Sequence, residues 1–355
     1  MDADGGNQTP IHGWLSRCHA PERNLRHAAR SRPATVALDN GLRMRVRSAR
    51  RARRRGAAHR AGEAAVRDEA SFIAELESAE GDELARRLTR PSAAEERDLV
   101  EYLGEPRYER MHDMALRRSA RGGVGATQGN VVVIHGIMGS SLRSVGRRGD
   151  DEEVWLKALR LMSGSVARLR LEASGRAELD ADWDVRPSGI LQRHYGELLL
   201  SLSTGWRVRA FWYDWRKDLE LAATELDAKI RSWFDERAPV HIVAHSMGGL
   251  VARAFIAKYG ERWKTMRDPR NEALGGRLVM LGTPNHGSFA MPQVMTGFDS
   301  TVQKLAIVDL RHSLPELLEV LNSFVGTYQM LPSPLQVPAM APLYEAAAWR
   351  GVKLS

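Results

Sequence analysis

From residue 130 onward the chain is punctuated by four short apolar runs, Asn130–Ile134, Arg207–Phe211, Val240–Ala244 and Arg277–Leu281. Each is too brief for a helix, and β-branched residues enrich the first and third, so the pattern predicts buried strands. Between the second and third runs, Leu219, Ala222, Ala223, Leu226, Ile230, Trp233 and Phe234 fall on one face at helical spacing. A further helical stretch follows the third run, from Leu250 to Tyr259, and stops at Gly260. Strands alternating with helices predict an α/β fold, mostly parallel, with right-handed crossovers and helices on both sheet faces.

Ahead of these runs the pattern is helical from Ser71 to Ser119. Ser92 and Glu95 form a capping box there, and Gly104 is a stop. Arg121–Gly125 reads as a hinge. After about residue 285 the chain turns helical again, with Leu314, Leu317, Leu318, Leu321 and Val325 on one face and a second capping box at Ser313 and Glu316. The expected organisation is a disordered, Arg-rich arm over 1–66, a small helical segment and hinge over 67–125, and an α/β domain over 126–355 that carries a helical cap from about 285.

Charge changes this picture only at the N-terminus. The chain has 355 residues and a net charge of +8, and residues 41–60 hold nine arginines and no acid, so the remainder is close to neutral. This tract reads as a solvated tail, with peripheral contact to a membrane or another anionic surface as the alternative. No specific nucleic acid is expected. Cys18 is the single cysteine, which excludes an intrachain disulfide. With no membrane-spanning apolar stretch and no secretory signal pattern, a cytoplasmic location is the expectation. There is neither a ligand cluster with metal spacing nor a phosphate-cradling glycine loop, so no metal and no cofactor are expected.

In open α/β sheets the chemistry sits at the carboxyl ends of the strands. The third run leads into Ala244-His245-Ser246-Met247-Gly248-Gly249 and then a helix, the small-x-Ser-x-Gly arrangement of a nucleophile elbow with alanine in the first glycine position. Ser246 is the candidate nucleophile. The first run leads into His135-Gly136-Ile137-Met138-Gly139, where the second oxyanion donor of such an elbow would lie. The candidate oxyanion hole is therefore the backbone N–H of Ile137 with that of Met247. The bland alternative is a tight turn that needs its glycines for conformation alone. His135 reads as structural rather than as a base.

The strings VVVIHGIMGSSL, WRVRAFWYDWRKDL, VHIVAHSMGGLVAR and VMLGTPNHGS, in that order, resemble the lecithin:cholesterol acyltransferase family of α/β-hydrolases. That family includes phospholipid:diacylglycerol acyltransferases and lysosomal phospholipase A2. The resemblance runs from about Gly129 to Trp349. It implies an α/β-hydrolase fold and a lipid or other acyl ester as substrate, with an acyl-serine intermediate and transfer to an alcohol or to water. The matching string also places Asp214 and Arg216 near an acyl or headgroup pocket, while the residues alone read as a structural ion pair pinning a loop.

A serine needs an imidazole to take its proton and a carboxylate to orient that imidazole, and on this fold the chain order is serine, acid, histidine. The candidates after Ser246 are weak: Asp309 and His312, three residues apart on the expected cap, and His286 after the fourth run. The family carries acid and base beyond the cap, so the expectation is a C-terminally incomplete chain with its triad partners past Ser355. The competing reading is a non-catalytic α/β-hydrolase-like fragment or interaction module.

Overall fold

The computed structural model describes residues 69, 71–120, 127–154, 164–268, 275–309 and 311–350. The arm over 1–66, its 41–60 tract and the hinge at 121–125 lie outside the described residues. Residues 69–355 form one compact unit.

The unit begins with four helices, α1 (71–78), α2 (Gly81–Thr89), α3 (Ala93–Leu103) and α4 (Glu105–Ala120). The capping box of α3 is present, with Ser92 and Glu95 each satisfying the other's backbone N–H, and Gly104 closes the helix at φ 80°. Next come β1 (Asn130–Ile134), β2 (Ser140–Gly146), β3 (Asp151–Glu153), β4 (Trp183–Ile190), α5 (Gln192–Leu202), β5 (Arg207–Phe211), α6 (Leu219–Trp233), β6 (Val240–His245), α7 (Met247–Lys258), α8 (Gly260–Arg267) and β7 (Leu278–Leu281). The last helices are α9 (Ala290–Thr296), α10 (Ser300–Val308), α11 (Leu314–Leu321) and α12 (Val325–Tyr328).

All four expected strands form, and they pair in the order β5-β1-β6-β7. Every pairing is parallel, with Val132 opposite Arg209 on one side and Ile242 on the other. β1 alternates its side chains between two cores, as the two-residue period requires. Val132 and Ile134 join Ile242, Ala244, Leu226, Ile230, Val251 and Phe255 under α6 and α7. Val131 and Val133 join Leu76, Leu84, Leu99, Met111 and Leu199. The helices over 71–120, expected as a small segment before a hinge, therefore supply one face of the sheet together with α5. A parallel strand buried on both faces must be apolar along its length, which is why β1 reads NVVVI. β7 is the outer strand next to β6 and exposes Val279, Met280 and Leu281.

A second sheet was not expected from the sequence. β2 pairs antiparallel with β3 and β4, with a bulge between Ser141 and Leu142. The helical run expected after 285 is present as α9 to α12, and Leu317, Leu318, Val320 and Leu321 are buried in the larger core.

Candidate functional site

The carboxyl ends of β1 and β6 lie side by side, with Ile134 opposite Ala244, and the next residues of each strand make the site. Ser246 occupies the turn between β6 and α7 at φ 52° and ψ −125°, in a region that favours glycine. Backbone bonds hold it there: its N–H donates to Leu281 C=O at 2.8 Å, and its C=O accepts from Gly249 N–H at 3.0 Å. The turn is tight because the following residues are bare. A Cβ on Gly248 would sit 2.4 Å from the His135 carbonyl oxygen, and one on Gly249 would sit 2.0 Å from Thr283 Oγ1. The Ser246 side chain does not cap α7. Its half-buried hydroxyl stands at the positive end of that helix dipole.

The loop after β1 abuts the serine, since a Cβ on Gly136 would lie 2.8 Å from Ser246 Cβ. His135 is fully buried and stacks on Tyr213, with ring centroids 4.3 Å apart and planes 8° apart. Its Nε2 accepts from Tyr213 N–H at 3.2 Å, so the proton resides on Nδ1, which donates to Gly136 C=O at 2.7 Å. Burial, with a smaller effect from His245, pushes the His135 pKa down to about 4. The ring is thus neutral at physiological pH and fully engaged, as a structural residue would be. Tyr195, a buried residue of α5, accepts from Gly136 N–H at 2.8 Å and contacts His245 Nδ1 at 2.9 Å. No motif marks Tyr195 in the sequence, and its partners are distant along the chain.

Asp214 and Arg216 form a buried pair. Arg216 Nε and Nη2 reach the two Asp214 carboxylate oxygens at 2.9 and 2.6 Å, Nη2 also reaches Glu178 at 2.8 Å, and Nη1 donates to Leu169 C=O at 2.7 Å. Burial works against the Arg216 charge, and the two carboxylates outweigh it, so its pKa rises. Lys217 adds a second cation at 3.1 Å from Glu178. Gly326 N–H donates to Arg216 C=O at 3.0 Å. These atoms bind protein groups from three segments, the arrangement of a structural clamp and not of a vacant pocket.

Asp309 and His312 also meet. Asp309 Oδ2 contacts His312 Nδ1 at 2.9 Å, and Oδ1 accepts from the backbone N–H of Arg311 and of His312. Burial opposes the Asp309 charge, but these bonds prevail and lower its pKa. The bonds are those of a turn leading into α11, whose capping carboxylate Glu316 accepts from Ser313 N–H at 2.7 Å. Among the described residues, no hydrogen bond joins Asp309, His312 or His286 to Ser246. His286 is exposed, and its carbonyl accepts from Ser333 N–H at 2.8 Å. The neighbouring Asn285 is held on α7 by Arg253, which donates to its side-chain oxygen at 3.0 Å.

An apolar cavity of about 260 Å³ is walled by Pro292, Phe298, Leu343 and Trp349 among others, and Ser246 is not part of its lining. Among the described residues there is no group of three or more His, Cys, Asp or Glu placed to hold a metal, and no helix is long and apolar enough to cross a membrane.

A parallel sheet whose central strand ends in a strained serine, with helices on both faces, is consistent with the α/β-hydrolase class of protein. Within that class, residues 202–349 match the model of the lecithin:cholesterol acyltransferase family. The match contains the elbow and the Asp214–Arg216 string but not the loop after β1. The chain is also 26% identical over 160 residues to an uncharacterised protein of Saccharomyces cerevisiae, covering 42% of this chain and 24% of the yeast protein. It therefore spans about a quarter of that relative. Among solved structures, a chain of a Tle4–Tli4 complex aligns with a TM-score of 0.34 and 18% identity over 59% of this chain and 55% of that one.

Proposed function

We propose that Ser246 is the nucleophile of an acyl transfer on carboxylic esters, lipid esters foremost, so that the protein acts as an O-acyltransferase or a lipase-type hydrolase. The Ser246 oxygen attacks the ester carbonyl carbon as an imidazole removes its proton. The tetrahedral oxyanion accepts hydrogen bonds from Ile137 and Met247 N–H, and the alcohol leaves with the proton returned. An alcohol or water then releases the acyl group from Ser246. The helical run from α9 to α12 is the proposed cap over the substrate. The family match supports the acyltransferase or lipase class of activity.

The observation that carries the reading is the conformation of Ser246. A non-glycine residue at positive φ is costly, and here it leaves an uncapped hydroxyl between a helix N-terminus and a glycine loop. The test is labelling of the purified chain with a fluorophosphonate probe and mapping of the adduct by mass spectrometry. The expected adduct lies on Ser246 and is abolished in Ser246→Ala. Parallel His312→Ala and His286→Ala variants report which imidazole, if either, activates the serine. A folded chain that stays unlabelled overturns the reading.

A further inference from the structure

We infer that Tyr195 and His135 are positioning residues that set the direction of the Ile137 N–H and tie its loop to the nucleophile elbow through His245. The inference rests on the acyl-transfer reading of Ser246 and adds how the site is held ready. Two peptide planes flank Gly136, and buried side chains fix both. In the plane between His135 and Gly136, the carbonyl accepts from the Tyr213 hydroxyl at 3.2 Å and the N–H donates to Tyr195 Oη at 2.8 Å. In the plane between Gly136 and Ile137, the carbonyl accepts from His135 Nδ1 at 2.7 Å and from Gly139 N–H at 3.1 Å. A trans peptide points its N–H opposite its C=O. Holding the Gly136 carbonyl on the His135 side therefore dictates where the Ile137 N–H points.

The same hydroxyl reaches across to the elbow. Tyr195 Oη accepts from Gly136 N–H, so its own hydrogen is directed to His245 Nδ1, 2.9 Å away. His245 immediately precedes Ser246, and Gly136 abuts the Ser246 side chain. One phenol thus bridges the loop that offers one oxyanion donor to the turn that offers the nucleophile and the other donor. Burial raises the Tyr195 pKa to about 12, which keeps the bridging proton in place at physiological pH. Preorganised donors of this kind cost no reorientation as charge develops on the substrate oxygen.

The test compares wild type with Tyr195→Phe, which keeps the ring and loses the bridge, and with His245→Ala and His245→Asn at a position exposed enough to tolerate change. Four quantities are measured: kcat and KM for p-nitrophenyl butyrate, the rate of fluorophosphonate labelling at Ser246, and backbone amide exchange at Gly136. Tyr195→Phe is expected to lower kcat and kcat/KM together by roughly tenfold to a hundredfold, less than outright deletion of an oxyanion donor, with KM within about twofold. His245→Ala should lower kcat severalfold, and His245→Asn should restore most of it, because its amide oxygen can take the place of Nδ1 as acceptor. Amide protection at Gly136 should fall in Tyr195→Phe. A rise in KM at unchanged kcat, an unchanged kcat in both Tyr195→Phe and His245→Ala, or unchanged protection at Gly136 overturns the inference. If wild type shows neither turnover nor labelling, the acyl-transfer reading falls by itself. The clamp is then judged by exchange at Gly136 alone, lost protection in Tyr195→Phe supporting it and retained protection refuting it.

Discussion

Ser246 spends stability to hold its conformation. A side chain at φ 52° and ψ −125° costs on the order of 1–3 kcal/mol, and glycine relieves that cost while adding about 0.5–1 kcal/mol of chain entropy to the unfolded state. Ser246→Gly is therefore expected to gain about 1 kcal/mol in urea denaturation while losing all probe labelling. Ser246→Ala, which keeps its Cβ, should lose labelling with no such gain; equal stability of the two variants would contradict the strain argument. The tight turn at Ser246 is legible in the sequence, because a small residue, a serine and two glycines stand between an apolar run and a helix. The loop glycines after β1 are legible for the same reason. Tyr195 is not, since its role depends on α5 passing over two loops whose residues lie 59 and 50 positions away. Asp214 and Arg216 could be read as an ion pair, whereas Glu178, their third partner, carries no local signal of that contact.

Between elements, a buried carboxyl fastens α1 to the second sheet. Glu77 on α1 is 2% exposed, accepts from Tyr102 Oη at 2.6 Å and also bonds the Ser141 hydroxyl of β2. Burial first, and then the Glu153 charge, push its pKa up to about 7. The folded state therefore binds a proton that the unfolded chain releases near pH 4.5, so this group's contribution is full below that pH and declines as pH rises toward 7. The loss amounts to roughly 3 kcal/mol across the window. Glu77→Gln, which retains an acceptor for Tyr102 and stays neutral, should flatten the pH dependence of the melting temperature between pH 5 and 7.5. A steeper dependence would refute the assignment. The parallel strands are legible because burial on both faces leaves no room for polar residues. β2 and β4 are not, because SSLRSVG and WDVRPSGI expose part of one face and carry serine, arginine and a proline that mask any alternation.

For the molecule as a whole, the position of β1 decides what can be cut away. The segment matching the family begins at residue 202 and contains β5, β6 and β7. Yet β5 and β6 do not pair with each other: both bond to β1, which lies outside that segment along with α1 to α4 and all but the last residue of α5. Excised residues 202–349 would thus have a gap one strand wide at the middle of the sheet, and Val208 and Ala210 would lose the helices that cover them. Circular dichroism of that excised piece should show no cooperative thermal transition where the full chain shows one, and a sharp transition would disprove the dependence. Sequence kinship and mechanical integrity therefore have different boundaries in this protein: the stretch that matches the family model is expected not to stand without a strand and a helical layer that the match does not include.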